Sequence, residues 1–140
     1  MEIDKAKKHL AILWFGGSAG LSLLLIIQTI LGHYADKYGE AWSWFLPIVM
    51  PTLSLIIGVF VSDVLKKDIE IEKRVDNFFY WLTISLSAVY ILAVSLTLFL
   101  SPVSRYSSIE LMKISNFWLG PLQGLVAGTL LVFFRQNGKK

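Results

Sequence analysis

His9 and His33 are the residues best suited to proton transfer or metal binding, and each stands alone. The apolar run between them, about Leu10 to Gly32, places them on opposite sides of a membrane, so they cannot share a metal or a proton relay. Asp36 follows His33 by three positions, but no nucleophile or third ligand accompanies the pair. Serines are abundant, yet none has a predicted base within reach. The absence of Cys removes thiolate chemistry, disulfides and Cys–metal sites. No Gly-rich loop follows a strand, so no phosphate cradle is expected. The expectation is a protein that is not an enzyme and holds no metal or cofactor.

The remaining polar chemistry lies inside apolar runs. Thr83, Ser87, Tyr90, Val94, Thr97 and Ser101 follow the 4-3-4-3-4 spacing of one helix face, and all but Val94 carry a hydroxyl. Such a stripe either glues helices together, each hydroxyl bonding across a seam or back to its own helix at about 0.6 kcal/mol, or it lines a neutral water path of weak charge selectivity. Gln123, near the middle of the last apolar run, needs partners for its amide. It is expected to pair with a symmetry mate or a third-span hydroxyl, which makes it a further pore-lining candidate. Gln28 stands nearer an interface, where it can reach water.

Small residues form a second pattern. Gly120, Gly124 and Gly128 recur every four positions and drift only about 40° per step, with Ala127 in the same strip. Gly16 and Gly20 make a similar pair, and Ser54, Gly58 and Ser62 a similar triplet. In lipid, close helix contact relies on small residues that let backbones approach. Each strip packs either against another helix of the same chain or against an identical subunit. One bundle has limited room for three tight seams, so a homo-oligomer is expected.

These residues are positioned by four apolar segments. Of 140 residues, 55% are hydrophobic and only 16% charged, against about a quarter charged in an ordinary soluble domain. The spans are expected at about 10–32, 41–62, 77–101 and 114–134, each long enough to cross a core of about 30 Å. They are helices because a lone segment in lipid must satisfy its own backbone hydrogen bonds. The fold class is all-α: one four-helix transmembrane domain over 1–140. Short links make sequential helices antiparallel neighbours. The run from Leu10 to Gly32 is too long for a secretory signal and reads as a retained span. Ten basic residues fall on the side of the termini and the 63–76 loop, against Lys37, Arg105 and Lys113 on the other. That asymmetry puts both termini in the cytoplasm, in a cell (inner or plasma) membrane.

Pro47 lies early in the second helix, whereas Pro51 and Pro121 lie deeper and should loosen their helices. The 63–76 loop carries nine charges in fourteen positions. Lys66 with Glu70, and Glu70 with Arg74, have i,i+4 spacing that extends the second helix past the bilayer. With Lys67 and Lys73 they form either a solvated connector or a docking handle for a cytoplasmic protein partner. The basic residues flank apolar runs and make no basic face with interleaved aromatics, so no nucleic-acid partner is expected.

Gly16-Gly17-Ser18-Ala19-Gly20 resembles the first-helix glycine cluster of the small fluoride channels, but the Arg expected soon after it is missing, as is their broken third-helix segment. The four short spans are similar to those of the small multidrug transporters, without their membrane-embedded Glu. In size and span count the chain resembles the small multi-span membrane effectors of bacterial conflict systems. The leading expectation is a homo-oligomeric pore or membrane-perturbing effector, with the third-span stripe as conduit and the fourth-span glycines closing the seams. The alternative is a non-conducting accessory or scaffold subunit of a larger membrane complex.

Overall fold

The computed structural model describes residues 2–65 and 76–135. They form four long α-helices: α1 (Ile3–Ile30), α2 (Tyr38–Leu65), α3 (Asn77–Leu100) and α4 (Ser108–Arg135). All four are long and apolar enough to cross a membrane, so the chain is an all-helical, multi-pass membrane protein. A helix of 28 residues, the length of α1, α2 and α4, measures about 42 Å at 1.5 Å per residue. That exceeds the ~30 Å hydrocarbon core, so the helices tilt or reach into both interfaces.

Local chemistry sets the helix ends. α1 stops in a Schellman motif: Gly32 adopts φ +73°, its N–H bonds to the Thr29 carbonyl at 3.1 Å, and the His33 N–H bonds to the Gln28 carbonyl at 3.0 Å. Asp76 caps α3 by accepting from the Phe78 N–H at 3.1 Å. α4 opens with a reciprocal capping box. The Glu110 N–H donates to Ser107 Oγ at 3.2 Å, and the Ser107 N–H donates to Glu110 Oε2 at 3.2 Å. This box starts α4 at Ser108, a turn and a half before the apolar run that marks it in the sequence.

The helices form a square. α1 packs between α2 and α3, and α4 packs between the same two. α2 and α3 therefore face each other across a diagonal, although they are consecutive in sequence. The expectation that all sequential helices are neighbours holds for α1–α2 and α3–α4 and fails for this pair; the eleven residues between Leu65 and Asn77 are enough chain to join helices that are not adjacent. The core along the shared axis includes Trp14, Phe45, Tyr90, Leu98 and Phe133, all buried. Trp14 and Tyr90 stack at a centroid distance of 5.8 Å.

Candidate functional site: the polar interior and the α2–α4 groove

The hydroxyl stripe of α3 faces the inside of its own bundle. Thr83, Ser87, Tyr90, Val94, Thr97 and Ser101 are all buried. Thr83 and Thr97 donate back to the carbonyls of Phe79 (2.8 Å) and Ala93 (3.0 Å). Tyr90 donates across the diagonal to the Ile48 carbonyl at 3.4 Å. Ser101 bonds to Ser108, which bonds in turn to His33 Nε2 at 2.8 Å. Most of the stripe is thus helix glue in this conformation. Among the described residues, three buried side-chain atoms have no partner: Trp14 Nε1, Ser18 Oγ and Ser87 Oγ. Ser18 lies one turn beyond Trp14 and Ser87 one turn before Tyr90, so all three gather around the Trp14–Tyr90 stack.

The small-residue strips face the other way. A Cβ added at Gly16, Gly20, Gly58, Gly120, Gly124 or Gly128 would meet no atom within 4 Å. Ser54 is exposed, and Ser62 and Ala127 are half-buried. Packing among the described residues therefore does not explain the glycines of these strips. The glycine that does work inside the bundle is Gly17, whose added Cβ would stand 3.0 Å from the Ile91 side chain.

Within the chain, Gln123 reaches α2 rather than an α3 hydroxyl. Its Nε2 donates to the Pro47 carbonyl of α2 at 3.3 Å. Proline at position i takes away the helical donor of carbonyl i−4. Pro51 therefore frees the Pro47 carbonyl, and Gln123 supplies the missing donor from α4. By the same rule Pro47 frees the Ser43 carbonyl. α2 runs through both prolines as one helix, and α4 through Pro121.

That exchange marks the floor of an open groove between α2 and α4, of about 430 Å³. At its mouth, near the α1–α2 and α3–α4 connections, Lys113 and Glu40 form an exposed ion pair at 3.4 Å. Ser43, Asn116 and Gln123 continue the polar wall inward. From Lys113 to Gln123 the wall descends about 15 Å along α4. Trp44, Ile48, Ile109 and Met112 make the apolar side. Trp44 is fixed by its indole N–H, which donates to Ser115 Oγ at 3.0 Å.

At the opposite end, the Lys7 ammonium is buried against Asp63 at 2.5 Å, and His9 Nδ1 shares a hydrogen bond with the Tyr80 hydroxyl at 2.8 Å. His9 and His33 stand near opposite ends of α1, about 36 Å apart along the helix. The docking candidates Lys66, Lys67, Glu70, Lys73 and Arg74 lie outside the described residues. Among the described residues, no three His, Asp or Glu side chains gather as a metal site would require. Comparison of the chain with protein-family models, with curated proteins and with solved structures returns no match.

Proposed function

We propose that the protein is a homo-oligomeric membrane subunit, pore-forming or membrane-perturbing, that sits in the cell membrane with both termini in the cytoplasm. The observation that carries the assembly is the outward face of six glycines, none with an atom within 4 Å of an added Cβ. A glycine inside a helix costs about 1 kcal/mol relative to alanine. Six such positions that pack against nothing among the described residues are explained if other subunits pack there, where bare backbones meet closely in lipid. The ten-to-three excess of basic residues on the side of the termini supports the orientation.

The conduit in this reading runs through each subunit rather than between subunits, because the α3 hydroxyls face the bundle axis. The Trp14–Tyr90 stack closes it. Parting of the stack admits water, which Trp14 Nε1, Ser18 and Ser87 are placed to bind. Asp63, in the last turn of α2, is tied to α1 through Lys7, so a cytoplasmic partner that pulls on the charged segment after α2 loads the bundle directly. Conductance of the purified protein in planar bilayers tests this. Wild type should show rare openings, and Trp14→Ala more frequent ones. Electrically silent bilayers with both proteins would exclude the pore.

The filled core favours a second reading: a non-conducting scaffold subunit whose outward ridges hold another membrane protein. Co-purification with one stoichiometric partner, together with silent bilayers, would select it.

A further inference from the structure

We propose that the α2–α4 groove binds one phospholipid whose headgroup carries both a phosphate and a primary ammonium, as in phosphatidylethanolamine. The site combines charge of both signs with a backbone carbonyl that proline deprives of its helical donor. Lys113 offers an ammonium and Asn116 an amide donor, which suit a phosphate. Glu40 offers a carboxylate, and Pro47 leaves the Ser43 carbonyl without its helical donor. Both acceptors suit an N–H-bearing ammonium. Glu40 and Lys113 face each other across the mouth at 3.4 Å. Such an exposed pair contributes little and opens readily.

The placement fits a lipid better than a soluble zwitterion. The groove is open along its side, and its charged mouth lies at the helix ends, where headgroups sit. The apolar side formed by Trp44, Ile48, Ile109 and Met112 continues inward from the mouth, as a glycerol and the first acyl carbons would. Its volume of about 430 Å³ falls in the range of roughly 300–1,000 Å³ typical of small-molecule sites. The freed Ser43 carbonyl sets the selectivity. A primary ammonium can donate to it, and a trimethylammonium has no N–H to give.

Native mass spectrometry of the full chain, titrated with dioleoyl phosphatidylethanolamine and dioleoyl phosphatidylcholine, tests the assignment. The expected result is one retained lipid per subunit and a preference of about tenfold for the ethanolamine lipid, the size of one hydrogen bond to a charged group. Pro47→Ala restores the N–H that satisfies Ser43 and should abolish the preference while leaving both charged residues in place. Lys113→Met should weaken binding of both lipids. Thermal melts should show both variants folded as wild type is. Equal affinity of wild type for the two lipids would overturn the proposal, as would a preference that survives Pro47→Ala. Binding of soluble phosphoethanolamine without lipid retention would also overturn it, as would disulfide pairing of an Asn116→Cys variant with a second copy in bilayers. None of these outcomes depends on whether the protein conducts.

Discussion

Removing the carboxylate of Asp63 should destabilise the bundle from its terminal end. The Lys7 side chain is only 2% exposed and meets Asp63 at 2.5 Å, whereas Asp63 itself is 39% exposed. Breaking a fully buried pair by deleting one partner costs about 3–5 kcal/mol, because the other charge is left unpaired. Water already reaches Asp63, which lowers the expected cost of Asp63→Ala to about 2–3 kcal/mol. With an unfolding entropy that scales with chain length, this lowers Tm by roughly 7–10 °C. Intrinsic tryptophan fluorescence during heating in detergent micelles reads it, since Trp14 lies in the core. The double variant Lys7→Met with Asp63→Leu removes both charges and should recover most of the loss. The wild-type melt should also shift little between 0.1 and 1 M salt, because a buried pair is poorly screened. An Asp63→Ala melt within about 1 °C of wild type would refute the idea that this pair holds α1 to α2.

Other substitutions test the packing and the polar interior separately. Gly17→Leu should destabilise the subunit by about 1–3 kcal/mol through overpacking on Ile91, while Gly16→Leu leaves the melt of the dissociated subunit in detergent unchanged. Ser87→Ala should be neutral or slightly stabilising in chemical denaturation, since its buried hydroxyl has no partner to lose. Burial and a donated bond to Gln28 at 2.5 Å surround the Tyr34 hydroxyl, and burial pushes its pKa up to about 12 from 10. The unfolded chain therefore loses this proton first, and stability should fall as pH rises from about 10 to 12. Tyr34→Phe should flatten that part of a melt-versus-pH series.

The four helices were legible because lipid imposes one solution on a long apolar segment, and their number needs no tertiary information. The start of α4 was legible too, in Ser107-x-x-Glu110, but an apolar window passes over a polar capping box. The periodicity of the α3 stripe and of the α4 glycines was readable. Which way each faced was not, because a helical period gives the angle between two faces and not the direction of the neighbour. Lys7 looks like an interfacial lysine until Asp63, 56 residues away, is folded against it. The α2–α4 groove was half visible. Pro47 and Pro51 announce freed carbonyls in a helix, but that Gln123 answers one of them depends on the register of α4 against α2.

The chain has no native cysteine, so a single Gly124→Cys variant reports contact between copies without background. An added Cβ at Gly124 meets nothing within 4 Å among the described residues, so the substitution leaves the bundle intact. Oxidation in native-like bilayers is predicted to yield a disulfide-linked dimer from Gly124→Cys and far less from Leu125→Cys, which is also exposed but lies about 100° round the helix. Equal, low cross-linking at both positions would mean that the glycine ridge faces acyl chains, and would contradict the assembly on which the proposed function rests.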